Sequence, residues 1–109
     1  MILKINNEDL ELVYSFRSLI YFEQITGYSL DFNNFTANDL LTLFFSVVTA
    51  SLQKAKKPII TMMEFLDVVD ENGGDKCLLD FSNWYINVMK AQYEINDAEL
   101  EKEEKKSQE

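Results

Sequence analysis

Leu40-Leu41-Thr42-Leu43-Phe44-Phe45-Ser46-Val47-Val48-Thr49-Ala50-Ser51-Leu52-Gln53 is the longest stretch of the chain without a formal charge. It falls short of the about 20 consecutive apolar residues that span a bilayer, and Thr42, Ser46, Thr49 and Ser51 interrupt it. At 100° per residue its apolar positions sweep about 220° of a helix, leaving Asp39, Thr42, Ser46, Thr49 and Gln53 outside the arc. The reading is a buried core helix. Thr36, with Asp39 three residues on, opens it in the manner of a capping box. Lys54-Ala55-Lys56-Lys57-Pro58 closes it, with cations where the helix dipole favours them and a proline that cannot continue the hydrogen-bond ladder.

Working outward, Ile2-Leu3-Lys4-Ile5 and Leu10-Glu11-Leu12-Val13-Tyr14 are short β-favouring runs on either side of the polar cluster Asn6-Asn7-Glu8-Asp9, which predicts an N-terminal β-hairpin. Ser15 is a candidate N-cap. Phe16, Leu19, Ile20 and Glu23 then share one helical face as far as Thr26, with Gly27 placed to stop the helix. Thr61 and Glu64 form a second capping box before Phe65, Leu66, Val68 and Val69, and Asn72-Gly73-Gly74 ends that helix. The last helix is expected from about Lys76 to beyond Tyr93. Leu78, Ser82, Tyr85, Ile86, Met89 and Tyr93 form its stripe, and Asp80, Asn83, Asn87, Lys90 and Glu94 its polar face. Residues 97–109 hold six acids and three lysines against two apolar side chains. The expected architecture is mainly α, at the margin of α+β: a hairpin and about four helices in one compact domain over residues 1–96, with a charged, frayed or helical tail over 97–109.

The 109 residues carry 19 acids against 10 bases and no histidine, giving a net charge of −9, yet 47% are apolar and 13% aromatic. That apolar share excludes a disordered acidic chain. The charge argues against gripping a phosphate backbone, so no nucleic acid is expected as partner. One cysteine excludes a disulfide framework and a multi-cysteine metal site, and the lack of histidine removes imidazole bases and ligands. Met1 to Glu8 lacks the basic-then-apolar order of a secretory signal, so a soluble protein of the cytoplasm is expected. Asp67 to Asp75 surrounds two glycines with acids, but the spacing fails the EF-hand template and suits a helix C-cap. Cys77 is expected as a small buried hydrophobe, since no histidine is present to activate its thiol. These readings point to no enzyme, no metal and no cofactor.

Two features point to binding instead. Glu23 lies in an apolar stripe, so its carboxylate must sit at a rim or anchor a partner's backbone or cation. Phe81, Trp84 and Val88 widen the apolar arc of the last helix beyond one packing face. Either the hairpin and loops cover the surplus on the two wide-arc helices, or it faces another chain, a second copy or a partner. Phe81, Trp84 and Val88 are the predicted contact patch, because aromatic anchors dominate interface energies.

Tyr14-Ser15-Phe16-Arg17-Ser18-Leu19-Ile20-Tyr21-Phe22-Glu23-Gln24-Ile25-Thr26-Gly27, directly after the hairpin, resembles the opening of the tail assembly chaperones of long-tailed (siphovirus-type) phages and their prophages. The later helical half, with Phe81-Ser82-Asn83-Trp84-Tyr85 and a charged end, is similar as well, so that the resemblance covers residues 1–95. It implies a viral morphogenesis factor of the host cytoplasm, absent from the finished particle. Such a protein holds the tape measure protein soluble before the tail tube polymerises around it, with no catalytic residues. It also implies a possible longer form, made by a ribosomal frameshift, whose added domain recruits tail tube subunits. Glu104-Lys105-Lys106 permits the slippery heptamer A AAA AAG three codons before the stop, as does Ala55-Lys56-Lys57. The alternative is a small acidic phage inhibitor that mimics DNA charge, of the anti-restriction or anti-CRISPR kind. Its carboxylates should line one surface at phosphate-like spacing, whereas here they are scattered.

Overall fold

A computed structural model describes the backbone of residues 1–107 and the side chains of residues 1–92. Two antiparallel strands, β1 (Ile2–Ile5) and β2 (Glu8–Glu11), are followed by four helices: α1 (Phe16–Thr26), α2 (Ala37–Lys54), α3 (Met62–Glu71) and α4 (Asp75–Ser107). A short 3-10 turn, Phe32–Asn34, lies between α1 and α2. The mainly α fold with an N-terminal hairpin is the one the sequence predicts. No helix among the described residues is long and apolar enough to cross a membrane.

The hairpin turn is tighter than the polar cluster suggests. Asn6 and Asn7 both take positive φ, 51° and 63°, as a two-residue type I′ turn requires and as asparagine tolerates. The second strand therefore begins at Glu8, pairing with Ile5, rather than at Leu10. Leu3, Ile5, Leu10 and Leu12 point into the core. The outer edge of β1 is held by a side chain: Asn72 Oδ1 accepts the Lys4 N–H at 3.0 Å, and Asn72 Nδ2 donates to the Lys4 carbonyl at 2.9 Å. Asn72 is also the C-cap of α3, so the loop between α3 and α4 is a helix cap that doubles as a strand clamp.

The helix boundaries follow the local capping chemistry. Both predicted boxes close: Thr36 with Asp39, and Thr61 with Glu64, exchange side chain for backbone N–H in each direction. Ser15 caps α1, and Gly27 ends it in the left-handed region at φ 82°.

The buried faces differ from the predicted stripes. On α1 the buried residues are Ser18 and Phe22, while Phe16 is 82% exposed and Ile20 about half exposed at 48%. α1 packs chiefly on α2. The small Ser18 side chain lets the helices approach, its hydroxyl donating to the Ser15 carbonyl at 2.6 Å. Arg17 and Tyr21 both donate to the Gln53 side chain of α2. On α4 the fully buried line is Cys77, Phe81 and Tyr85. It meets the predicted stripe only at Tyr85.

α2 is the central element. Leu43, Phe44, Val47, Val48 and Leu52 are buried, and so are Asp39, Ser46 and Ser51. The serines satisfy themselves: Ser46 and Ser51 donate to the carbonyls four residues back at 2.7 Å, and Ser51 Oγ also accepts the Val13 N–H at 3.0 Å. Phe44 stacks on Phe81 of α4 with ring centroids 4.2 Å apart and planes 1° from parallel. It also meets Phe65 of α3 edge-on at 5.1 Å. Most of the 220° arc read from the sequence is thus covered from within the chain, by α1 and β2 on one side and by this aromatic stack on the other, with Leu40, Leu41 and Phe45 left partly exposed. The tail over 97–109 continues α4 as far as Ser107; its side chains, with those of Tyr93 and Glu94, and all of residues 108–109 lie outside the described ones.

Candidate partner-binding groove

The predicted contact patch divides in the structure. Phe81 is fully buried at 0% exposure, its ring committed to the stack with Phe44, and so contributes no exposed surface, although it backs one of the clefts described below. The reason is geometric: α4 approaches α2 along the Cys77–Phe81–Tyr85 line, which consumes the centre of the expected patch. Trp84 is half-buried against the same core, its ring 6.0 Å from that of Phe81, and Val88 is half-buried. Glu23 is exposed, well away from that patch in the sequence, on α1.

Ser82, Tyr85, Ile86 and Met89, within the predicted stripe of α4, line two adjoining clefts instead. One, of about 250 Å³, is bounded by Tyr85 and Met89 of α4, by Tyr14, Leu19 and Glu23 at α1, and by Ser29, Leu30 and Phe32 of the connection between α1 and α2. The other, of about 100 Å³, lies between Phe32, Phe35, Leu40 and Leu43 on one side and Phe81, Ser82, Tyr85 and Ile86 on the other. Phe32 and Tyr85 belong to both, so the two clefts adjoin along α4 at this ring pair, and together they are called the groove. Its rim is partly uncovered, with Phe32 at 47% and Ile86 at 38% exposure.

The lip of the groove is a connection held by its own hydrogen bonds. Gly27 donates its N–H to the Glu23 carbonyl at 2.7 Å, closing α1 and turning the chain away. The Tyr28 hydroxyl donates to the buried Asp39 carboxylate of α2, and its ring meets Phe22 edge-on at 6.0 Å. Asp31 accepts the Asn33 N–H at 2.9 Å and so shapes the turn that presents Phe32. Phe32 is flanked by Phe35 at 5.3 Å and by Tyr85 at 6.5 Å between ring centroids. The Tyr28 bond, followed by the Thr36 N–H, holds the Asp39 carboxyl below the usual carboxylate range; the same bond raises the Tyr28 phenol. Asp39 is therefore ionised at neutral pH and fixes the lip to the start of α2.

Elsewhere the chemistry is sparse. Burial, and then the charge of Asp80, push the Cys77 thiol above its ordinary value, so it stays protonated at neutral pH. Among the described residues no three acidic, cysteine or histidine side chains gather as a metal site would need. Phe16 and Ile20 on α1, and Met63 and Leu66 on α3, are exposed apolar pairs that line neither cleft.

The residues that sequence reasoning missed are Tyr14, Leu30, Phe32 and Phe35. The available signal was Phe32-Asn33-Asn34-Phe35, two aromatics inside a polar interhelix connection, where neither can serve a regular amphipathic face. Compared with models of known families, with curated proteins and with solved structures, the chain finds no match.

Proposed function

We propose that the protein is a carrier for an apolar helical partner: a tail assembly chaperone of a long-tailed phage or prophage that binds the tape measure protein and keeps it soluble until the tail tube forms. The observation that carries this reading is the groove along α4, apolar surface that stays open, with Leu40 of α2 in its wall, although most of α2 is covered from within. The segment Tyr14–Gly27, on which the resemblance to these chaperones rests, contributes Tyr14, Leu19 and Glu23 to that groove. A groove of apolar side chains between helices is a common seat for an amphipathic helix, and a tape measure protein in this family is a long helical chain. A net charge of −9 favours solubility of the carrier and disfavours capture by nucleic acid. The role is binding rather than catalysis, in the host cytoplasm before the particle is complete, with tail tube subunits engaged through any frameshifted long form.

Co-expression with the tape measure protein of the same phage tests the reading. The expected result is that the tape measure protein moves from the insoluble to the soluble fraction and co-elutes with this chain. A tape measure protein that precipitates equally with and without the chain would refute it.

A further inference from the structure

The groove is not uniformly apolar. Glu23 and Ser29 border the wider cleft, whereas the narrower one is walled mainly by Phe32, Phe35, Leu40 and Ile86, with Ser82 on its α4 side and no charged residue. Glu23 is exposed, and among the described residues its carboxylate has no ion-pair partner. Along α4 the groove runs from Ser82 to Met89, about 10 Å at 1.5 Å per residue, or two helical turns. An occupant lying beside α4 therefore meets an apolar slot at one end and a carboxylate at the other, inside a molecule of net charge −9.

From this polarity we propose that the groove takes one amphipathic helical segment of the tape measure protein, seating an aromatic or long aliphatic side chain between Phe32 and Ile86 and placing a lysine or arginine against Glu23. The inference rests on the chaperone reading and adds the seat and the chemistry of the occupant. The apolar anchor supplies the desolvated contact that dominates interface energies. The cation sets direction: with one charged end, a segment entering in the reverse sense leaves Glu23 unanswered, and the wrong sense is disfavoured. The overall negative charge draws basic segments in and raises the rate of encounter.

The test measures binding of the full-length chain to the purified tape measure protein, for wild type and for Ile86→Lys, Glu23→Lys and Asp67→Lys, with circular dichroism on each. Asp67→Lys makes the same charge change as Glu23→Lys on exposed α3, outside the groove lining. Ile86→Lys is expected to weaken binding by more than about tenfold, the scale of a lost interface anchor. Glu23→Lys is expected to weaken it about three- to tenfold with a reduced salt dependence, the range of an exposed pair and its reversal, and Asp67→Lys to bind as wild type. Reversing a lysine or arginine of the bound segment to glutamate should restore affinity for Glu23→Lys. Wild-type binding that is indifferent to both Ile86→Lys and Glu23→Lys would overturn the proposed seat while the chaperone reading stands. No binding by wild type would overturn both. Equal losses for Glu23→Lys and Asp67→Lys would overturn the local role of Glu23. A wild-type dimer that Ile86→Lys converts to monomer would assign the groove to a second copy and overturn the proposal.

Discussion

Phe81→Ala separates the structure's account of α4 from the surface patch that periodicity suggests. Phe81 exposes none of its surface and stacks on Phe44 at 4.2 Å. Burying a phenylalanine removes about 200 Å² from water, and at about 25 cal/mol per Å² that is about 5 kcal/mol. Alanine retains a part of this, while the vacated space adds a cavity cost, so core substitutions of this kind fall at about 3–5 kcal/mol. Against a total stability of about 5–15 kcal/mol for a domain of ordinary size, the variant is marginal. Phe16 provides the matched control, because it is 82% exposed at the first position of α1. With about a fifth of its surface buried, the same arithmetic leaves about 1 kcal/mol, and alanine's higher helix propensity offsets about half of that. Urea unfolding followed by far-ultraviolet circular dichroism measures both. A loss below about 1 kcal/mol for Phe81→Ala, or equal losses for the two variants, would refute the assignment of Phe81 to the core. If the stack is real, Phe44→Ala and Phe81→Ala are also non-additive, with a coupling of about 0.5–1.5 kcal/mol.

Two further predictions concern the lip of the groove. Gly27→Ala meets no atom within 4 Å of the added Cβ, but φ at Gly27 is +82°; the expected loss is the backbone cost alone, about 1–2 kcal/mol by urea unfolding, and a neutral or stabilising result would contradict the left-handed cap. Asp39 has its folded pKa lowered, so its contribution is fully present above the unfolded carboxylate value of about 3.9 and is lost as pH falls through that value toward the folded one. Comparing urea midpoints at about pH 7 and about pH 3, Tyr28→Phe and Asp39→Asn should each flatten the acid-side loss relative to wild type. An unchanged acid limb would show that the Tyr28–Asp39 bond does not form in solution.

The ends of the elements were legible and their faces were not, for a physical reason. A cap is a contract between residues three apart: Thr36 with Asp39 and Thr61 with Glu64 satisfy orphan N–H groups wherever the helix later docks. Gly27 and the Asn72-Gly73-Gly74 stop are local in the same sense. Burial is instead a property of pairs of elements. On α1, the face with Phe16, Leu19 and Ile20 and the face with Ser18 and Phe22 are both plausible from periodicity. What selects the second is the close approach to α2 that a serine permits and the bonds from Arg17 and Tyr21 to Gln53. Ser46 shows the same limit. It reads as the polar side of α2, yet it returns its hydroxyl to the carbonyl four residues back, as Ser51 also does, so burial costs neither of them a hydrogen bond. Asn6-Asn7 reads as part of a longer polar loop because side-chain polarity does not reveal that both residues take positive φ.

The groove follows from the same limit. α4 carries two adjacent apolar lines, Cys77–Phe81–Tyr85 and Ser82–Ile86–Met89 with Tyr85 on the border between them. The first is answered by Phe44, which Phe65 backs edge-on. The second has opposite it α1, which packs chiefly on α2, and a short connection pinned by Tyr28 to Asp39. That connection reaches far enough to set Phe32 beside Tyr85, but not far enough to cover Ile86 or to meet Glu23 with a cation. The exposed Phe16 and Met63 line neither cleft, so a partner there would touch one side of the side chain and leave the other wet. Between Phe32 and Ile86 an inserted side chain is enclosed from both flanks, and enclosure is what turns apolar area into binding energy. The stripe of α4 that stays open is therefore the second one, with Glu23 bordering it from α1, whereas the Trp84 side is half-buried against the Phe81 ring.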